Sequence, residues 1–174
     1  MGNYYSPDGN YEVWDEKPEG YFTAEEWIEL HPEPKPTLEE LRTAALSRID
    51  SATSAAILAG FGYEIGEEIL HFFYNHDDQQ NFSDTFNAIA MKKLMGVDSL
   101  PDTIGWNGWR NHTNTNKGEL VRLNLDVDSF LELYTKGALA HKSYHMTIHG
   151  ERKKAIESAQ SVEEINALLE EWSV

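Results

Sequence analysis

The sequence predicts an α+β fold: a small antiparallel sheet packed with several helices, preceded by an aromatic N-terminal arm and a Pro-rich spacer. Three observations predict it. Hydrophobic residues make up 40% and charged residues 25% of 174, which suits one domain with a core plus an appendage. Runs at helical spacing, opened by Ser or Thr capping boxes, are interspersed with short runs of β-formers around glycine turns. Finally, His31-Pro32-Glu33-Pro34-Lys35-Pro36 favours extended backbone, because the residue before each proline avoids the α region. The chain therefore divides into an arm (1–31), a spacer (32–36) and an α+β core (37–174).

Within the arm, Ser6-Pro7-Asp8-Gly9 is a turn signal, so Tyr4-Tyr5 and Tyr11-Glu12-Val13-Trp14 pair as a small hairpin. Thr23-Ala24-Glu25-Glu26 is a capping box that starts a short helix through Leu30. Tyr4, Tyr5, Tyr11, Trp14, Tyr21, Phe22 and Trp27 are more rings than so short a segment can bury alone. They pack on the core or on a partner, and the proline spacer, which holds an arm away from its own domain, favours the partner.

In the core, Thr37-Leu38-Glu39-Glu40 opens a helix with Leu38, Leu41, Ala45, Ile49 and Ala52 in register, stopping at Gly60. Phe61 to Ile65 and Glu68 to Tyr74 read as a hairpin around Gly66-Glu67. A helix follows, capped by Asp77 or Asp78, carrying Phe82, Phe86, Ile89 and Leu94 and ending at Gly96. Asp102 to Trp106 reads as a strand and Asn107-Gly108 as a hairpin turn. Leu120 to Leu125 alternates as a strand. Asp126 or Asp128 caps a helix past Gly137 to about Gln160, and Ser161-Val162-Glu163-Glu164 opens the last one, with Ile165, Leu168, Leu169 and Trp172.

The balance of 14 Lys+Arg against 30 Asp+Glu gives a formal charge of −16. Such a chain is repelled by phosphate backbones and anionic lipid, so neither nucleic acid nor membrane is an expected partner. The basic cluster Arg152-Lys153-Lys154 is flanked by Glu151 and Glu157. There is no cysteine, which excludes disulfides, thiolate metal sites and cysteine nucleophiles. No apolar run approaches the ~20 residues of a membrane span, and the first residues lack the pattern of a signal peptide. The expected compartment is the cytoplasm.

Three constellations are candidates for chemistry. His141, His145 and His149 lie four residues apart on one helix face, and an i, i+4 imidazole pair can bind Zn²⁺. The outer two are ~12 Å apart by helix rise, so one ion takes at most two of them. Phe130, Tyr134, Ala138, His141 and His145 also form a core-facing stripe, and packing is the stronger reading. The expectation is no metal, with His141 and His145 as the metal-binding alternative. Asn75-His76-Asp77-Asp78-Gln79-Gln80-Asn81 is a polar strand-to-helix junction that reads as a capping network, because the calcium-loop pattern of a central Gly and terminal Glu is missing. Trp106 and Trp109 either anchor a partner or stack on a sugar, and alternation lets at most one point inward. No Gly-x-Ser-x-Gly elbow, phosphate-cradling loop or His-Glu-x-x-His spacing occurs, so neither catalysis nor a cofactor is expected.

Asn3-Tyr4-Tyr5-Ser6-Pro7-Asp8-Gly9-Asn10-Tyr11 is one of three longer stretches that carry a resemblance. The second is Ile49 to Phe61, leading into His71-Phe72-Phe73-Tyr74 and Asp78-Gln79-Gln80-Asn81-Phe82. The third is Trp106-Asn107-Gly108 with Leu133-Tyr134 and Ala138-Leu139-Ala140-His141-Lys142. Together they resemble proteins encoded beside tail-fibre genes in phages and prophages, many of which carry an uncharacterised conserved domain. The resemblance implies a non-enzymatic tail-fibre assembly factor or chaperone acting in the host bacterial cytoplasm. On that reading Tyr4, Tyr5, Tyr11, Trp14, Trp27, Trp106 and Trp109 bind a tail-fibre or other tail protein. The alternative is a structural component of the mature tail or fibre tip that touches host glycans.

Overall fold

The computed structural model describes residues 1–32, 34–96 and 101–173, so Glu33 of the spacer lies outside them. The chain forms two compact units, Met1–Thr37 and Leu38–Val174. Its class is α+β.

The first unit holds β1 (Gly2–Tyr5), β2 (Tyr11–Trp14), β3 (Phe22–Thr23) and α1 (Ala24–Leu30). The strands are antiparallel in the order β2-β1-β3, with Tyr5 opposite both Tyr11 and Phe22. Ser6, 5% exposed, organises the turn: its carbonyl accepts the Gly9 N–H at 2.9 Å and its hydroxyl the Asn10 N–H at 3.1 Å. At α1 the Thr23 hydroxyl accepts the Glu26 N–H and the Glu26 carboxylate accepts the Thr23 N–H, the reciprocal box expected from the sequence. That cap aims Trp27 at the sheet, where it stacks on Tyr5 with 5.2 Å between centroids.

The second unit begins with α2 (Leu38–Leu58), then the hairpin β4 (Phe61–Ile65) and β5 (Glu68–Phe72), and α3 (His76–Met95). After β6 (Ile104–Arg110) and β7 (Glu119–Leu125) comes one unbroken helical run: α4 (Val127–Glu132), a π segment (Leu133–Leu139) and α5 (Ala140–Ser158). The last element is α6 (Val162–Glu171). The sheet order is β4-β5-β6-β7, antiparallel throughout. Strand alternation sends Phe61, Leu70, Phe72, Ile104 and Leu125 to one face, where they close a core with Phe82 and Ile89 of α3 and Phe130, Leu133 and Ala138 of the long run. A second core joins α2, α5 and α6 through Ala45, Ile49, Ile156, Ala159 and Ile165. At one end of the sheet the Arg110 guanidinium bridges Glu68 at 2.7 Å and Glu119 at 3.2 Å, tying three strands together.

Several elements depart from the sequence expectation. β6 runs straight through Asn107-Gly108, which pair with Arg122 and Val121 instead of turning. A Cβ on Gly108 would lie 3.2 Å from Leu70 and 3.3 Å from the Phe72 ring, so this glycine admits the side chains of β5. The reversal falls in the polar stretch after it, where Asn111 and Gly118 take positive φ of 56° and 81° and Thr113 bridges Asn116. β5 ends at Phe72, before Tyr74, and β6 begins at Ile104 rather than Asp102. The cap of α3 is Asn75, not Asp77 or Asp78: its side chain accepts the Asp78 N–H at 3.0 Å while Asp78 accepts the Asn75 N–H at 3.1 Å. At α6 the Ser161 hydroxyl accepts the Glu164 N–H, but the Glu164 carboxylate reaches one residue further back, to the Gln160 N–H.

The π segment has no counterpart in the periodicity. It lies where the run crosses β4, and Gly137 there packs so closely that a Cβ would meet the Phe61 ring at 2.6 Å. Gly137→Ala is expected to cost about 1–3 kcal/mol by overpacking, although alanine is the better helix former. Urea denaturation followed by circular dichroism checks it; an unchanged midpoint would mean that Phe61 moves aside freely.

Candidate functional site

β5 and β6 share one paired position among the described residues, His71 opposite Trp109. Beyond it the chain of β5 leaves the sheet through Phe73 and Tyr74 to reach the Asn75 cap, while β6 continues paired with β7. The wedge between β6 and α3 is a cleft of about 340 Å³, lined by Phe73, Asp78, Asn81, Thr85, Gly105, Trp106, Asn107 and Trp109. Positions 78, 81 and 85 fall on one face of α3, so the helix presents a carboxylate, an amide and a hydroxyl to the exposed backbone of β6.

The two tryptophans divide as alternation requires. Trp106 points inward, 4.4 Å between centroids from Phe82 and 5.3 Å from Phe130, and its remaining edge lines the cleft. Trp109 lies on the other face against Phe73 at 4.5 Å, and the Lys117 ammonium sits 5.1 Å from its ring centre. Beside them His71 stacks on His112 at 3.8 Å. Burial, then the neighbouring His112 charge, holds the His71 imidazole below its ordinary pKa. Burial also raises the Asp78 carboxyl above the usual aspartate range, against the backbone N–H of Asn75, which lowers it.

The polar junction of residues 75–81 is largely taken up by the fold. Gln79 donates to the Tyr74 carbonyl at 3.1 Å and accepts from Lys142 at 3.3 Å, which joins α3 to α5. Asp78 and Asn81 nevertheless face the cleft. Sequence reasoning singled out Trp106 and Trp109 but missed Phe73, Thr85 and Asn107 as their neighbours; only the 78, 81, 85 spacing on α3 signalled a shared face.

His141, His145 and His149 do line one face of α5, with successive centroids 4.7 and 6.0 Å apart. His141 Nε2 lies 3.1 Å from the Ile57 carbonyl, which closes the end of α2, and His149 is 7% exposed beside the Asp50–Lys153 ion pair. Among the described residues no group of three or more His, Cys, Asp or Glu is placed to hold a metal ion. Nor is any described helix long and apolar enough to cross a membrane.

Of the arm residues, Tyr5 and Trp27 form the interior of their unit, with Phe22 5.7 Å from Trp27. Tyr4 is half-buried, whereas Tyr11 and Trp14 on strand β2 are 56% and 47% exposed. The Glu12 carboxylate accepts from the Trp14 indole at 3.0 Å and the Tyr21 hydroxyl at 3.2 Å, fixing the indole over Tyr21.

Fold and cleft define an α+β domain with an aromatic and amide-lined groove where its sheet parts from a helix. The chain belongs to the family described as Domain of unknown function (DUF4376), whose model matches residues 40–169. The match lies within the second unit and leaves out the N-terminal one. No curated protein and no solved structure matches the chain.

Proposed function

We propose that the protein is a non-enzymatic bacteriophage or prophage tail protein, an assembly factor that holds a tail-fibre protein through its aromatic N-terminal unit. The observation that carries this reading is β2. It is an edge strand with Tyr11, Val13 and Trp14 exposed by 56%, 59% and 47%, on a unit already folded around the Tyr5–Trp27 stack. A rigid edge with large rings offers backbone hydrogen bonds and hot-spot side chains at low entropic cost. The resemblance to proteins encoded beside tail-fibre genes supplies the partner, and the formal charge of −16 keeps such a complex dispersed.

Co-expression of the full chain with the fibre protein encoded beside it, followed by quantitative mass spectrometry of free complexes and intact particles, tests the reading. The expected result is a complex with free fibre and absence from particles. Tyr11→Ala and Trp14→Ala are each expected to weaken the complex by at least about tenfold, and removal of residues 1–37 to abolish it. A fixed ratio in particles makes the protein a structural component of the mature tail; binding to neither overturns the tail assignment.

A further inference from the structure

We propose that the cleft between β6 and α3 binds a neutral saccharide, with Trp109 as its apolar platform and Asp78, Asn81 and Asn107 as its hydrogen-bonding rim. This goes beyond the partner-binding reading, which rests on residues 1–37, and stands or falls separately from it.

Three properties of the cleft carry the inference. The first is its unused hydrogen-bonding capacity. Asn81 and Asn107 are exposed, and neither amide makes a side-chain hydrogen bond within the described protein, while Asp78 commits one carboxylate oxygen to the Asn75 N–H. A primary amide offers two donors and an acceptor, and a carboxylate accepts from two directions. Adjacent sugar hydroxyls, each both donor and acceptor, match that set. The second is the indole wall. Trp109, half-buried and braced against Phe73 at 4.5 Å, lines the cleft beside the polar rim, and an indole is a side chain able to stack on the C–H face of a sugar ring. The third is charge. Among the described residues the lining carries one acid, Asp78, with the Lys117 ammonium nearby over Trp109, and no guanidinium or cluster of lysines that would receive a phosphate or carboxylate. An uncharged ligand fits.

The volume, about 340 Å³, falls at the small end of the ~300–1,000 Å³ range for small-molecule sites.

Saturation-transfer NMR on the full chain tests the proposal, with the uncharged methyl glycosides of glucose, galactose and mannose and with N-acetylglucosamine, each at about 10 mM to capture millimolar affinity. At least one probe is expected to receive saturation at its ring protons. Asn81→Ala and Asn107→Ala, both at exposed positions without internal partners, are expected to weaken that probe by about tenfold while leaving the circular dichroism unchanged. Trp109→Ala is expected to remove it. Absence of transfer to all four probes overturns the proposal, as does wild-type binding by the Asn81/Asn107 double variant. Displacement of the probe by an extended peptide that binds the cleft more tightly would assign the site to a peptide instead.

Discussion

Phe82→Ala is expected to destabilise the second unit by about 3–5 kcal/mol, the largest effect of any single truncation proposed for this chain. Phe82 is 0% exposed, and its ring lies within 6.3 Å, centroid to centroid, of Phe61, Tyr74, Trp106, Phe130 and Tyr134. Removing it takes away a hydrophobic transfer term and leaves a cavity that rings from four elements must collapse into. Against the 5–15 kcal/mol stability of an ordinary domain this is a large share. Phe86, one turn along α3 and 37% exposed, provides the control: Phe86→Ala is expected to cost under about 2 kcal/mol. Urea midpoints of the two variants measure the difference, and equal midpoints would show that the core does not centre on Phe82.

Acidification from pH 7.5 to 5.5 is expected to lower the melting temperature through the histidines of the second unit. His71, His145 and His149 are each held below the ordinary histidine pKa, in every case first by burial. Neighbouring charge adds to it, from His112 and His141 at His71, from His141 and His149 at His145, and from Arg152 at His149. A group with a depressed pKa in the native state stays neutral there while the unfolded chain takes up its proton. Its stabilising contribution is therefore complete above the unfolded value of about 6.5 and is lost as pH falls below it. A separate loss follows in the usual carboxylate range, because Glu26 and Asp126 have lowered pKa values from the hydrogen bonds they accept, Glu26 first from Lys17 and Asp126 first from Ser129. Melting curves at the two pH values, which both lie above the carboxylate range, isolate the histidine step when a His145→Gln/His149→Gln variant is measured beside the wild type. The variant is expected to show the smaller shift; an identical shift would place the pH response elsewhere.

The parts of this fold that were legible in the sequence are those decided by neighbours along the chain. The Thr23 box, the Ser6–Gly9 turn, the hairpin of Phe61 to Phe72 and the Gly96 stop each rest on contacts within a few residues, and each appears as expected. Asn107-Gly108 misled because its glycine answers a tertiary demand, the approach of Leu70 and Phe72, and not a local one. The choice of Asn75 over Asp77 as a cap depends on where β5 lets go of the sheet, which no local pattern states. Trp106 and Trp109 marked the cleft, but its other wall comes from α3, more than twenty residues upstream, and is brought there by tertiary packing, Phe82 of α3 against Trp106. The arm rings divided between interior and surface for the same reason: β1 pairs with both β2 and β3, and that decides which rings Trp27 covers.

The π segment between α4 and α5 gives the long helix a reserve of length. A plain α-helix that gains or loses one residue turns everything beyond it by about 100°, which here would carry His141 off the Ile57 carbonyl and Ile156 out of the second core. A widened turn absorbs such a change locally, closing to ordinary α winding when one residue is removed. Removal of one exposed residue from the segment Leu133–Leu139 is thus expected to be absorbed there, with both cores keeping their registration.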